Sequence, residues 1–345
     1  MKIAGNLLIV LLALASFATH TNAEDRIKVI TTFSDFASIT REITGDLAEV
    51  EYLSHGDQDP HFVPPKPSLA LKLKKADMLV STGLDLEMWL ATLQDKARNS
   101  RIMDGADGFI TVSPGIDILQ KPETLSRTEG DVHIMGNPHF HTSPLNWKPI
   151  SENILTGLTR VDPKNADTYR ANQKLFIERM YIAMFGHELV ELIGGEQLAE
   201  LLRSGNLIEF LDRDYQGKKL SDMLGGWVQG SLPFRGMKVI AYHKNWAYFA
   251  HDFGLTVAGY IESKPGIPPT PKHVEQTIRL IKTEGIDVML VASYFEKRKP
   301  AAISEKTGIK ALFLPMSVEA LPEVPDCFSL VDYWIEQINN AVGTD

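Results

Sequence analysis

The stretch KVIAYHKNWAYFAHDFGLTVAGYI, residues 238–261, contains the pattern that decides the fold. A short apolar run at Lys238–Tyr242 predicts a buried strand. Trp246–Phe253 predicts a helix that ends at Gly254, and Thr256–Ile261 predicts a second strand. A strand, a helix and a strand in this order form a parallel β-α-β unit, in which ligand sites lie beyond the carboxyl ends of the strands.

The same alternation of short apolar runs and helical patterns recurs at both ends of the chain. It predicts four strands in an amino-terminal series and four in a carboxyl-terminal series. The predicted strands are Ile27–Phe33, Ala48–Leu53, Met78–Thr82, Phe109–Val112, Lys238–Tyr242, Thr256–Ile261, Asp287–Ala292 and Lys310–Leu314. The fold class is therefore α/β, with two similar domains that each contain a mainly parallel sheet flanked by helices.

A long helical pattern separates the two series. Asp162-Pro163 is a favourable helix start, because Asp caps the first turn and Pro suits its first position. Apolar residues then recur near the helical period until Gly194, which predicts one connecting helix over residues 162–193. The predicted domains are residues 24–161 and 194–345, the latter with an irregular or partly helical insertion at about 194–236.

The first 23 residues differ from the rest of the chain. Lys2 precedes a short apolar run at residues 7–14, and Ala23 provides a small residue at a cleavage position. This arrangement is typical of a secretory signal peptide. A membrane anchor is the alternative, but the apolar run is shorter than the roughly 20 residues that a span needs. We therefore expect a mature protein in the periplasm.

The composition excludes several classes of protein. The 345 residues carry 35 Lys and Arg against 44 Asp and Glu, a net charge of -9, which argues against a nucleic-acid-binding protein. The single cysteine, Cys327, excludes an intramolecular disulfide and a Cys-rich metal cluster. If the chain binds a metal ion, His and carboxylate side chains must provide the ligands.

Four side chains with metal-binding chemistry lie in loops near predicted strand ends. They are His61, His139, His243 and Glu296. Each has an ordinary alternative: a surface loop for His61 and His139, a core or capping histidine for His243, and a surface ion pair for Glu296. Two of these four side chains come from each predicted domain, so all four can meet only in the cleft between the domains. Three imidazoles and one carboxylate suit Zn²⁺ in tetrahedral geometry.

Three further histidines have an open role. His55 and His133 lie in polar loops, and His141 lies two residues after His139. An imidazole at position 141 could orient a metal-binding ring through its second nitrogen, and such a partner affects metal affinity. We expect His141 to lie behind the ligands and not among them, while His55 and His133 are candidates for accessory metal capture or plain exposure.

The chain resembles the zinc- and manganese-binding substrate proteins of bacterial ABC metal importers, of the zinc-uptake type. The resemblance covers nearly the whole mature chain and is carried by motifs in a matching order. These include Asp59-Pro60-His61, Gly83-Leu84-Asp85-Leu86-Glu87, Asn137-Pro138-His139, Tyr242-His243, Ile261-Glu262 and Pro269-Thr270-Pro271. It implies two α/β domains joined by a long rigid helix, with the metal ion in the cleft and ligands at His61, His139, His243 and Glu296.

The chain departs from the family pattern at three of these positions. Asn137 stands where the family usually has Asp, and His141 stands where it usually has an aromatic residue. Glu296 matches a position where members have a ligand Asp, and its side chain is one methylene longer.

The resemblance also implies the function and the metal. Manganese-binding members tend to have a carboxylate at the position of His243, and imidazole favours zinc. We therefore expect a monomeric Zn²⁺-binding protein, not an enzyme, that delivers the ion to an ABC importer permease, with Mn²⁺ as the second choice. A secreted zinc hydrolase is the rival class, but no HExxH motif occurs in the sequence.

Overall fold

The computed structural model describes residues 26–122, 133–262 and 266–343. The predicted signal peptide lies outside these residues. The first parallel sheet contains β1 (Ile27–Phe33), β2 (Ala48–Ser54), β3 (Met78–Ser81) and β4 (Phe109–Thr111). A short antiparallel hairpin, β5 (Asp214–Tyr215) and β6 (Lys218–Lys219), precedes the second sheet. The second parallel sheet contains β7 (Lys238–Ala241), β8 (Thr256–Tyr260), β9 (Val288–Ala292) and β10 (Lys310–Leu314).

The two sheets share one topology. The strand order is β2-β1-β3-β4 in the first sheet and β8-β7-β9-β10 in the second. In each sheet, the second strand along the chain lies on one side of the first strand, and the third and fourth strands lie on its other side. All eight predicted strands are present, and the prediction of two similar α/β units is confirmed. Strand β9 is buried along its whole length, as expected for a parallel strand covered by helices on both faces.

Helices flank both sheets and fill the segment between them. In the amino-terminal part these are α1 (Ser34–Thr44), α2 (Pro67–Lys74), α3 (Leu90–Ala97) and α4 (Trp147–Val161). The middle segment contains α5 (Ala166–Phe185), α6 (His187–Ile193), α7 (Gly195–Arg203), α8 (Leu207–Leu211) and α9 (Gly226–Ser231). The carboxyl-terminal part contains α10 (Ala247–Phe253), α11 (Pro271–Glu284), α12 (Arg298–Thr307) and α13 (Cys327–Val342). Within the described residues, none of these helices has the length and apolarity needed to cross a bilayer.

The connecting helix is shorter than the sequence predicts. Helix α5 has 20 residues and ends at Gly186, whose φ of +84° does not continue a helix. Gly186 packs closely on Gly225, since a Cβ at Gly186 would lie 2.7 Å from the Gly225 Cα. The prediction of a single helix over residues 162–193 is therefore wrong, because α5 and α6 are separate helices. The segment 194–236 is mainly helical. The domain boundaries themselves stay a prediction.

An aromatic cluster joins helices from the two halves of the chain. Trp147 of α4 lies near Phe176 of α5, Trp227 of α9 and Phe328 of α13, with ring centroids 6.1, 5.8 and 5.3 Å away. The Arg179 guanidinium lies 3.8 Å from the centre of the Phe328 ring. These contacts hold α5 against both sheets' helices and limit movement between them.

Polar contacts join the two halves on the side of α1. The Ser34 hydroxyl donates a hydrogen bond of 2.6 Å to the Val318 carbonyl oxygen. Glu319 accepts hydrogen bonds from Arg41 and Tyr52, 2.7 and 2.6 Å long. The loop after β10 is thereby attached to the first sheet and its neighbouring helix.

The aromatic cluster yields a prediction about stability. We expect Phe328→Ala to lower the free energy of unfolding by about 3–5 kcal/mol, because a buried ring is replaced by a cavity. Leu175→Ala in α5 is the control, since the Leu175 side chain is 62% exposed. Denaturant unfolding of both variants provides the measurement. Equal stability of the two variants would show that the cluster does not hold the halves together.

A buried carboxyl at the same interface yields a prediction about pH. Burial raises the pKa of Asp35 to about 7, although hydrogen bonds from Ser317 and the Val318 backbone oppose the rise. Because this folded-state pKa exceeds the unfolded value of 3.8, the stabilisation from protonated Asp35 is complete below about pH 4 and disappears by pH 7.

We therefore expect the chelator-treated wild type to lose stability relative to Asp35→Asn as the pH rises from about 4 to 7. The relative loss is on the order of 4 kcal/mol at most. Urea unfolding at several pH values measures it. Parallel pH profiles for the two proteins would contradict the assignment.

Candidate metal centre

His61 lies in the loop that follows β2. The Asp59 carboxylate accepts hydrogen bonds from the His61 backbone N–H and from its ring Nδ1, 3.0 and 2.8 Å long. The indole N–H of Trp89 donates a 2.8 Å hydrogen bond to the Pro60 carbonyl oxygen. When Nδ1 carries the proton that is donated to the carboxylate, the acceptor nitrogen of the ring is Nε2.

His139 lies in the segment between β4 and α4, directly before the short 3-10 turn Phe140–Thr142. The Asn137 side-chain oxygen accepts a hydrogen bond of 2.9 Å from the His139 N–H. The amide nitrogen of the same side chain donates to the Lys244 carbonyl oxygen over 2.7 Å. Tyr248 of α10 donates its hydroxyl proton to the Asn137 carbonyl oxygen, also over 2.7 Å. These bonds attach the His139 loop to the residues that follow β7.

His243 lies two residues beyond the last residue of β7, and Glu262 lies two residues beyond β8. The Glu262 carboxylate is 2.8 Å from Nδ1 of His243. His243 is buried and its Nε2 has no hydrogen-bond partner among the described residues. The arrangement repeats that of Asp59 and His61 at Nδ1, where a carboxylate accepts the ring proton, but Nε2 of His61 lies 3.2 Å from Nε2 of His133 and has that ring as its partner.

The three histidine rings converge although they come from distant parts of the chain. The His61 centroid is 5.1 Å from that of His139 and 5.3 Å from that of His243, and the His139 and His243 centroids are 5.3 Å apart. Nε2 of His139 is also buried without a partner in the described part of the chain. Unpaired buried nitrogens are costly unless a ligand such as a metal ion binds them.

Burial favours the neutral form of two of these rings, His139 and His243. Burial lowers the pKa of His139 well below its ordinary value, and the neighbouring imidazoles lower it further. Burial also lowers the pKa of His243, although the hydrogen bond with Glu262 opposes the shift. Burial alone would raise the pKa of Asp59, but the hydrogen bonds and charge interactions with His61, together with the charge interaction with His243, outweigh burial and lower the pKa. Neutral imidazole is the form that binds a metal ion.

A fourth histidine joins the cluster. Nε2 of His133 lies 3.2 Å from Nε2 of His61, and the donor nitrogens of His61, His133 and His139 all lie within 4.8 Å of one another. A cavity lined by His133, His139, His243 and Lys244 opens onto these rings. The density of histidines between 133 and 141 is the sequence signal that points to His133.

The structure does not bring Glu296 into the cluster. Its carboxylate accepts hydrogen bonds from the backbone N–H groups of Arg298 and Lys299, 2.8 and 3.2 Å long, at the start of α12. The side chain is 43% exposed. The prediction of Glu296 as the carboxylate ligand is therefore corrected. Its carboxylate binds the free backbone amides at the start of α12, and the neighbouring residue Phe295 faces His243 instead.

His141 and His55 lie outside the cluster. The buried His141 ring packs against Phe33 and Phe36, with centroids 5.8 and 6.1 Å away. Within the described ranges, no hydrogen bond joins this ring to a predicted ligand, so it occupies the aromatic position of the family pattern as a packing residue. His55 is exposed and contacts the edge of the Tyr52 ring. The residues that orient the cluster are Asp59 and Glu262, which the sequence reasoning did not single out as site residues.

A family model described as "Zinc-uptake complex component A periplasmic" (ZnuA) matches residues 29–181 and 223–341, more than half of the chain. The chain belongs to this family. The residues between the two matched segments overlap the predicted insertion at 194–236.

Curated relatives cover most of the chain at low identity. The iron ABC transporter substrate-binding lipoprotein MtsA of Streptococcus pyogenes serotype M1 is 24% identical over 303 residues, which is 87% of this chain and 82% of the relative. The zinc-binding protein AdcA of Streptococcus pyogenes serotype M6 is 21% identical over 305 residues, which is 86% of this chain and 52% of the relative.

Solved structures share the fold. A crystal structure of ZnuA has a TM-score of 0.67 at 23% identity and covers 92% of this chain and 99% of that one. A manganese-bound periplasmic metal-binding protein from Candidatus Liberibacter asiaticus has a TM-score of 0.64 at 20% identity and covers 92% and 100% of the two chains. At these identities, the likeness describes the fold alone.

The two carboxylate–imidazole pairs yield a prediction about metal affinity. We expect Asp59→Asn and Glu262→Gln each to weaken metal binding by about 10–100-fold, because each removes the charged acceptor that orients a ring. Glu305→Gln, at an exposed carboxylate of α12, is the control. Competition with a chelating dye measures the affinities. Wild-type affinity in both carboxylate variants would contradict the orienting role.

Proposed function

We propose that this protein captures Zn²⁺ outside the cytoplasm and delivers it to the membrane permease of an ABC importer. The family is one of substrate-binding proteins of ABC importers, which is not an enzyme class. The observation that carries the proposal is the convergence of His61, His139 and His243, with buried and unpartnered Nε2 atoms on His139 and His243. The metal ion is the cargo, and these three imidazoles are its proposed ligands.

Zinc is preferred over the other metals because of the chemistry of the donors. The names of relatives and neighbours refer to iron, zinc and manganese, so they do not select one ion. Imidazole nitrogen suits zinc, whereas carboxylate, carbonyl and water oxygens suit manganese. A manganese-binding protein of the same importer class is the second candidate, supported by the manganese-bound structural neighbour.

Export is a further part of the proposal. Residues 1–23 have the pattern of a cleavable signal peptide, and a periplasmic location follows if it is removed. Mass spectrometry of the protein purified from the periplasm tests this point. An amino terminus at residue 24 is expected, and an intact amino terminus at residue 1 would contradict it.

Metal binding yields a prediction about thermal stability. An ion that binds only the folded protein stabilises it by about 2.7 kcal/mol when its free concentration is 100 times the dissociation constant. We expect zinc to raise the melting temperature of the wild type and a chelator to reverse the increase. His61→Ala, His139→Ala and His243→Ala should each reduce the increase. His187→Ala, whose side chain is 74% exposed on α6, should retain it. A melting temperature that does not respond to zinc would contradict the proposed function.

A further inference from the structure

His133 lies close to the ring nitrogens of the converging histidines His61 and His139. Its Nε2 is 3.2 Å from Nε2 of His61, and its ring centroid is 5.3 Å from that of His61 and 6.1 Å from that of His139. The ring is part of the wall of the cavity that opens onto His139 and His243. His133 therefore belongs to one group of mutually close nitrogen donors with His61 and His139, and the His243 ring lies next to the latter two.

The spacing is that of ligands on one ion. Two nitrogens bound at about 2.0–2.1 Å to a tetrahedral zinc ion lie about 3.3–3.4 Å apart. The Nε2 atoms of His61 and His133 are already at this separation, 3.2 Å. The donors of His61, His133 and His139 lie within 4.8 Å of one another, which is close enough for one ion to be shared among them.

No carboxylate oxygen competes for the same position in the described part of the chain. The group of mutually close donors contains imidazoles only. The carboxylates of Asp59 and Glu262 are engaged by Nδ1 of His61 and His243, on the side of each ring away from Nε2. Glu296 is engaged by the backbone of α12.

We propose that His133 is the fourth ligand, so that four imidazoles bind the ion and no carboxylate does. This inference rests on the proposed function, in which His61, His139 and His243 bind the metal. It assigns His133 a specificity role, because an all-nitrogen shell disfavours manganese, which prefers oxygen ligands.

The charges agree with a shell of neutral ligands. A divalent ion and four neutral imidazoles have a total charge of +2. Asp59 and Glu262 each contribute a negative charge directly behind a ligand ring, and 2 − 2 leaves the assembly neutral. An anionic ligand is therefore not required for charge balance, and the two carboxylates act through the rings that they orient.

The test compares zinc affinity in the full-length exported protein by competition with a chelating dye. The variants are His133→Ala, Glu296→Ala, His243→Ala and the exposed control His187→Ala. We expect His133→Ala to weaken zinc binding by at least about tenfold, because the loss of a ligand costs no less than the loss of an outer partner. Glu296→Ala and His187→Ala should bind zinc like the wild type.

X-ray absorption at the zinc edge provides a second readout, with four imidazoles expected in the wild type and three in His133→Ala. Normal affinity in His133→Ala together with weak binding in Glu296→Ala would overturn the inference and restore the carboxylate ligand. Three imidazoles in the wild type would also overturn it. Normal affinity in both His133→Ala and His243→Ala would instead contradict the proposed function.

The specificity role is tested with His133→Glu, which introduces a carboxylate at the same place. We expect the ratio of zinc affinity to manganese affinity to fall by at least about tenfold relative to the wild type, because oxygen replaces nitrogen in the shell. An unchanged ratio would show that His133 does not determine the choice of metal. Near-ultraviolet circular dichroism of each apo variant verifies that the fold is intact.

Discussion

The hydrogen bonds from Nδ1 of His61 to Asp59 and from Nδ1 of His243 to Glu262 constrain the whole site. Each carboxylate needs a donor because it lies largely inside the protein, and the imidazole Nδ1–H provides it. The bond determines the tautomer and leaves the electron pair on Nε2. Because the two pairs come from opposite halves of the chain, their rings meet with centroids 5.3 Å apart, and this approach underlies the proposed metal site.

This geometry requires that the two halves keep their separation. The aromatic cluster around Trp147 and Phe328 packs α4, α5, α9 and α13 into one continuous core. Ser34 and Glu319 also join the first sheet and α1 to the loop after β10. The two halves are therefore held together by both apolar packing and polar contacts, and the loops that carry His61 and His243 begin at the ends of the packed strands β2 and β7.

The sequence predicts the strands well because buried parallel strands are short apolar runs, and this property is local. It predicts the path of loops poorly because that path depends on distant contacts. Glu296 follows a strand as a ligand would, but the free amides of α12 bind its carboxylate. His133 does not follow a predicted strand, and only the folded chain brings its Nε2 within 3.2 Å of that of His61. The break at Gly186 likewise depends on its contact with Gly225, which the helical period does not encode.

The replacement of Asp by Asn at position 137 has a structural reason. Its side-chain oxygen accepts the His139 N–H, which an Asp carboxylate could do equally well. Its side-chain nitrogen donates to the carbonyl oxygen of Lys244, the residue that follows His243. A carboxylate cannot donate this second bond and would face the carbonyl oxygen with like charge. The Asn137 amide thus links the backbone beside two proposed ligands and maintains the distance between His139 and His243. Unlike a carboxylate, it adds no negative charge to a cleft that already contains the carboxylates of Asp59 and Glu262.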